Sequence, residues 1–99
     1  MNIKIHSVHF DADKKLLDFI DEKITKLNQI DDKILGAEVF LRLDKNDSSE
    51  NKVAEIRLNI SGNDLFAKKQ CKTFEEATDQ TVDALRKQLV RQKEKKISR

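Results

Sequence analysis

The sequence predicts an α+β domain in the order β-α-β-β-β-α, with a four-stranded, mostly antiparallel sheet and both helices on one face. Two observations support this fold class. Apolar and polar residues alternate in the strand segments, whereas in two other segments the apolar residues recur at helical spacing. The chain has 99 residues, of which 37% are hydrophobic and 38% are charged. This length is enough for one modest core, so we expect a single domain over residues 1–99.

The N-terminal part predicts a strand followed by a helix. Ile3 and Ile5 alternate with polar residues in a short, half-buried strand. Asp13 is placed to cap the next helix, because its carboxylate can accept hydrogen bonds from the free amides of the first turn. We expect this helix to end near Gln29. Its apolar face consists of Leu16, Leu17, Ile20, Ile24 and Leu27.

The middle of the chain predicts two more strands. From Ala37 the apolar period changes to two, which places Val39 and Leu41 on one face. The polar stretch over residues 45–51 predicts a turn. Apolar and polar residues alternate again over residues 54–60, and this alternation predicts the third strand.

A hairpin and a less regular fourth strand follow. The stretch "SGND" is typical of a tight turn, in which Gly62 or Asn63 takes a positive φ. The strand over residues 65–72 directs alternate apolar side chains inward, but Lys69 falls on that same face. At a sheet edge the stem of this lysine can lie along apolar surface with its ammonium in water. Phe66 falls on the opposite face, and the pattern leaves its surroundings open.

The last helix is predicted from its cap and its apolar face. Thr73 and Glu76 have the spacing of a capping box, in which each side chain pairs with the other residue's backbone amide. The apolar face of this helix ends near Leu89, although helix-forming residues continue beyond it. That face consists of Phe74, Ala77, Thr78, Thr81, Val82, Leu85 and Leu89.

Charge is distributed unevenly along the chain. The net charge is only +2, yet residues 86–99 carry seven Lys or Arg and one acid. The preceding residues 1–85 carry thirteen bases and seventeen acids. An asymmetry of this size suggests an anionic partner for the basic end.

Helical geometry organises these bases into a line. Lys87, Arg91 and Lys95 are spaced at i, i+4 and i+8 on a face turned away from the apolar one, with Arg86 and Lys93 beside them. Like charges at this spacing repel one another. Bound phosphates would offset that repulsion and release counterions. The pattern favours nucleic-acid binding over an ordinary solvated helix end, and the residues alone leave both open.

The cysteine content and the hydropathy of the chain indicate its cellular compartment. The single Cys71 excludes an intramolecular disulfide framework and fits a reducing environment. The N-terminus lacks the apolar region of a signal peptide, and no apolar run reaches membrane-spanning length. We therefore expect a cytoplasmic protein that does not enter a membrane.

Other candidate sites are weaker. His6 and His9 could bind a metal with Cys71, but their spacing matches no metal motif, so ordinary surface histidines are favoured. No Gly-rich phosphate loop or catalytic pair of acids is present, and we expect neither enzyme activity nor a cofactor. Phe40 and Phe66 could stack bases if they face solvent, although packing is favoured.

Several ordered segments together resemble the short form of the ribosome hibernation-promoting factors, the family that includes ribosome-associated inhibitor A. They are "IKI", "LLDFIDEKITKL", "VFLRLDK", "LFAKKQ" and "EEATDQTVDALRKQLVRQKEK". Two departures stand out. His6 and Ser7 replace the Thr-Gly that usually follows the first strand, and "TFEEATD" lacks the aromatic residue usual there.

The resemblance implies a fold related to double-stranded-RNA-binding domains and a role in idling ribosomes. It implies a monomer that binds the small ribosomal subunit in the channel used by mRNA and tRNA, competing with both. Because the chain stops at Arg99, we expect no second domain for ribosome dimerisation. The alternative class is a protein-interaction module that modulates a sigma factor. A third, metal-dependent enzyme would use His6, His9 and Cys71.

The resemblance also implies which residues contact the rRNA backbone. The first set is Lys87, Arg91, Lys93 and Lys95 of the last helix, with Lys23 and Lys26 of the first. A looser set is Arg86, Lys96, Lys68, Lys69 and Lys72.

Overall fold

The fold follows the predicted order of elements. The computed structural model describes residues 1–45 and 49–97, with side chains up to residue 94. The elements are β1 (Asn2–Ser7), α1 (Lys14–Thr25) with a 3₁₀ turn (Lys26–Gln29), β2 (Ile34–Leu43), β3 (Lys52–Ile60), β4 (Leu65–Cys71) and α2 (Phe74–Ile97). This order confirms the predicted fold class.

The four strands form one mixed sheet in the order β1-β2-β3-β4. β1 pairs with β2 in parallel, whereas β2 pairs with β3 and β3 with β4 in antiparallel fashion. The parallel pair requires a crossover connection, and α1 supplies it. The sheet is therefore mostly antiparallel, as the alternation of apolar residues predicts.

The predicted caps and the hairpin turn are present. The backbone amide of Leu16 donates to Asp13 Oδ1 at 2.9 Å, which caps α1. Thr73 Oγ1 accepts from the Glu76 amide at 3.0 Å, which is one half of the predicted capping box. Gly62 takes the positive φ of 87° in the hairpin between β3 and β4. The turn predicted over 45–51 includes residues 46–48, which lie outside the described residues.

The core lies between one face of the sheet and the two helices. Val39, Leu41, Ile56 and Leu58 are fully buried on the central strands, and Ile20 of α1 packs in the same cluster. We call this the inner face and the opposite one the outer sheet face. In the described part of the chain, neither helix is long and apolar enough to cross a membrane.

The structure shows on which face of the sheet Phe66 and Lys69 of β4 lie. Phe66 lies on the outer sheet face opposite Arg57 of β3, and 49% of its surface is exposed. Lys69 pairs in register with Ala54, a buried position of the inner face, yet Lys69 itself is exposed. It is exposed because β4 is an edge strand, where a long side chain can reach past the core into water.

Gly36 allows β1 and β2 to approach each other closely. It lies opposite Asn2 in the parallel pair, and a Cβ built at this position would lie 2.5 Å from the Asn2 carbonyl oxygen. Because that atom is backbone, Gly36→Ala must push β1 outward. We expect a loss of about 1–3 kcal/mol in the free energy of unfolding, measured by urea denaturation.

Hydrogen exchange separates this local effect from a general one. The amides of β1 should lose protection in Gly36→Ala but keep it in Gly62→Ala, where a Cβ meets nothing within 4 Å and only the positive φ is strained. Unchanged stability together with unchanged protection of β1 would show that the contact with Asn2 does not restrict this position.

Two buried threonines of α2 differ in their hydrogen bonds. Thr81 Oγ1 lies 2.7 Å from the Ala77 carbonyl oxygen and 3.3 Å from that of Ala54 in β3. Thr78 is equally buried, but its Oγ1 has no hydrogen-bond partner among the described residues. A buried hydroxyl without a partner keeps the cost of its desolvation.

The near-isosteric substitutions Thr78→Val and Thr81→Val should therefore act in opposite directions. We expect Thr78→Val to raise the free energy of unfolding by about 1 kcal/mol and Thr81→Val to lower it by about as much. Urea denaturation of the two variants measures this difference. Stabilisation by Thr81→Val, or destabilisation by Thr78→Val, is the result that would count against this assignment.

Candidate nucleic-acid interface

Basic side chains lie along two grooves on either side of α2. The first, which we call the β4 groove, runs between α2 and the edge strand β4. It brings Lys69 of β4 together with Lys87 and Arg91 of α2. Its remaining lining consists of Gln80, Asp83, Ala84 and Gln88. The inward register of Lys69 on an edge strand directs this lysine toward the helix.

The second groove, which we call the α1 groove, runs between α2 and the end of α1. Its basic side chains are Lys23, Lys26 and Arg86. Its apolar lining consists of Leu27, Ile30 and Val82, and its acids are Asp79 and Asp83. The Lys23 Nζ atom lies 3.0 Å from Asp79 Oδ1, and this ion pair joins α1 to α2.

Asp83 lines both grooves and forms ion pairs with two of the residues predicted to contact RNA. Its carboxylate accepts a hydrogen bond from Arg86 and lies 3.2 Å from Lys87 Nζ. The hydrogen bond from Arg86, followed by that from Lys87, holds the pKa of Asp83 below its usual value. Asp83 is therefore ionised at neutral pH, where it fixes both cations and offsets part of their charge.

The least neutralised positive charge lies further along α2. Arg91 and Lys93 are exposed, and neither has an acidic partner within ion-pairing distance among the residues whose side chains the structure describes. Lys26, by contrast, lies 3.7 Å from Glu22 one turn earlier in α1. Phosphate groups would therefore meet the fewest competing carboxylates near Arg91 and Lys93.

Four predicted residues are not gathered with the others or lie beyond the described side chains. Lys68 lies on the outer sheet face, opposite Glu55 of β3. Lys72 is exposed just before α2 begins, so it lies at the far end of that helix from Lys93. The backbone of α2 continues through Lys95 and Lys96, but their side chains lie outside the described residues.

The acidic residues were missed in the sequence prediction. Asp83 is three and four residues before Arg86 and Lys87, and this spacing was an available signal for helical ion pairs. The ion pair between Lys23 and Asp79 joins residues far apart in the sequence, and only the packing of α1 on α2 reveals it.

The structure does not assemble the alternative metal site. His6 lies on edge strand β1, with Nε2 3.0 Å from Glu38 Oε2 and its ring stacked on Phe40. Cys71 is buried in the opposite edge strand, and this burial raises the pKa of its thiol. Among the described residues, no group of three or more His, Cys, Asp or Glu side chains could hold a metal ion.

Fold and surface together define a small α+β protein with a basic helix surface. Residues 3–97 match the family described as sigma 54 modulation protein / S30EA ribosomal protein. Because this match covers nearly the whole chain, the protein belongs to that family. The family resemblance predicted from the sequence segments is thereby confirmed.

Individual relatives agree with this assignment. The chain is 30% identical over 99 residues to a ribosome hibernation promoting factor of Azotobacter vinelandii, covering 100% of this chain and 89% of that protein. The N-terminal domain of Thermus thermophilus Protein Y is similar with a TM-score of 0.80 and 26% identity, covering 92% of this chain and 98% of that one.

A second solved structure supports the fold alone. It is a ribosomal subunit interface protein from Coxiella burnetii, with a TM-score of 0.84 and 17% identity, covering 94% of this chain and 98% of that one. The likeness to double-stranded-RNA-binding domains stays a prediction.

Proposed function

We propose that this protein binds the small ribosomal subunit through the phosphates of rRNA and keeps resting ribosomes idle. The observation that carries the proposal is the gathering of Lys69, Lys87 and Arg91 along the β4 groove. The similarity to a ribosome hibernation promoting factor supports the choice of the ribosome as partner.

Binding would rest on charge and shape rather than on base sequence. The exposed ammonium and guanidinium groups of α2 stand on a helix surface, where they can contact a phosphate backbone. Phosphate contacts position a protein on nucleic acid but carry no sequence information. Recognition of folded RNA by shape and backbone is likewise typical of proteins that bind double-stranded RNA.

Asp83 competes with phosphate for two basic side chains, Arg86 and Lys87. A phosphate that approaches Arg86 or Lys87 must replace the Asp83 carboxylate as the partner of that cation. Arg91 and Lys93 face no such competition from a described acidic residue, so we propose that they form the primary contacts. Arg86, Lys23 and Lys26 would then extend the surface toward α1.

The proposed inhibition is steric. The folded domain, about 48 Å in its longest dimension, would occupy the part of the channel that mRNA and tRNA need. We propose a cytoplasmic monomer that acts without a cofactor and without catalysing a reaction. The family description also names sigma 54 modulation, so a protein-interaction role is the second candidate.

Co-sedimentation with purified small subunits tests the proposal. We expect the protein to sediment with vacant subunits and to be released when mRNA and tRNA are added together. Failure to sediment with small subunits would refute ribosome binding. Sedimentation that mRNA and tRNA leave unchanged would refute binding in their channel.

A further inference from the structure

The outer sheet face carries aromatic side chains that the helix grooves do not use. Phe66 of β4 is 49% exposed. Phe40 lies two strands away on β2, and the ring of His6 on β1 stacks on it with centroids 4.8 Å apart and an interplanar angle of 17°. Phe66 pairs with Arg57, which pairs with Glu38, two residues before Phe40 along β2. With strands about 4.8 Å apart and a rise of about 3.3 Å per residue, Phe66 lies roughly 12 Å from Phe40. Two separate bases can therefore occupy the two aromatic surfaces.

Acidic and basic side chains are interleaved on the outer sheet face. Glu38 accepts a hydrogen bond from His6, and Glu55 forms an ion pair with Arg42. Asp44 accepts a hydrogen bond from Gln70, and Asp64 accepts one from Asn59. Three further cations on this face have no acidic partner among the described residues. They are Lys4, Arg57 and Lys68. These three bases are therefore available to contact phosphate groups.

Phe66 is held in place from the other side of β4. The Gln88 side chain of α2 donates a hydrogen bond from Nε2 to the Phe66 carbonyl oxygen at 3.1 Å. The backbone on either side of Phe66 is paired with β3 through Arg57 and its neighbours. An aromatic ring on a fixed strand loses little freedom when a base stacks on it.

We infer that the outer sheet face binds an unpaired strand of RNA. One base would stack on Phe66 and another on the rings of His6 and Phe40, while Lys4, Arg57 and Lys68 contact the phosphates.

This surface is independent of the proposed rRNA interface. It lies across the sheet from both helices and uses none of the α2 cations. It also gives a role to Lys68, which the register places on the outer face rather than in either groove.

Fluorescence anisotropy with a labelled oligouridylate of about 12 nucleotides tests the inference. We expect the full chain to bind this unstructured strand and Phe66→Ala to weaken binding about fivefold or more. Phe66→Tyr keeps the aromatic face and should bind within about twofold of the unsubstituted protein, whereas Phe66→Leu keeps apolar bulk alone and should resemble Phe66→Ala.

The same assay distinguishes the two surfaces. When Lys87 and Arg91 are both replaced by alanine, the weakening caused by Phe66→Ala should remain the same. The inference is overturned if the full chain does not bind the oligouridylate, or if Phe66→Ala binds it normally. It is also overturned if Phe66→Leu binds as well as Phe66→Tyr, because stacking is then not involved. None of these results bears on small-subunit binding through α2.

Discussion

Replacing Lys87 and Arg91 together by alanine is expected to weaken binding to small subunits at least about tenfold at physiological salt. Both residues line the β4 groove, where their charged groups are exposed to an approaching phosphate. Each lost phosphate contact should also reduce by about one the slope of log affinity against log salt. Titrations at several salt concentrations measure both quantities.

A second pair of lysines supplies the matched control. Lys14 and Lys15 are exposed at the start of α1, outside both grooves, and their replacement by alanine removes the same charge. This control should leave the affinity within about twofold of the unsubstituted protein and the slope nearly unchanged. Equal losses for the two double variants would mean that net charge alone, rather than the α2 surface, determines binding.

Leu89→Ala is expected to reduce the free energy of unfolding by about 2–5 kcal/mol. Leu89 is fully buried, and it is the last buried residue of α2 among those whose side chains the structure describes. A domain of this size has about 5–15 kcal/mol of stability in total, so the loss is a large part of it. Urea denaturation gives the magnitude of the loss.

The adjacent Val90 makes a direct comparison possible. It is 41% exposed, and Val90→Ala should change stability by no more than about 0.5 kcal/mol. Because Leu89 fixes the end of α2 to the core, Leu89→Ala should also speed hydrogen exchange in the part of α2 beyond it. Similar stability changes in the two variants would indicate that α2 is not anchored through Leu89.

The fold was predictable from the sequence because each element carries its own local signal. Asp13 and Thr73 mark the helix starts, Gly62 marks the hairpin, and the change in apolar period marks β2. The position of β1 depends instead on a contact between distant residues. Only the structure shows that Gly36 is what permits β1 to lie so close to β2.

The candidate site was predictable only in part. Helical spacing placed Lys87 and Arg91 on one face, and that line of bases remains the centre of the proposed interface. Spacing cannot show that Lys69 reaches the same groove from β4, since this depends on where α2 packs against the sheet. The alternation along β4 does place Lys68 on the same face as Phe66, away from the helices, and the structure agrees with that placement.

The most direct test of the proposed function is an electron cryo-microscopy structure of the protein bound to the small ribosomal subunit. We predict that α2 lies against the rRNA backbone in the channel used by mRNA and tRNA, with Arg91 and Lys93 within hydrogen-bonding distance of phosphate oxygens. A complex in which the β4 and α1 grooves face solvent or ribosomal protein, away from rRNA, would contradict the proposal.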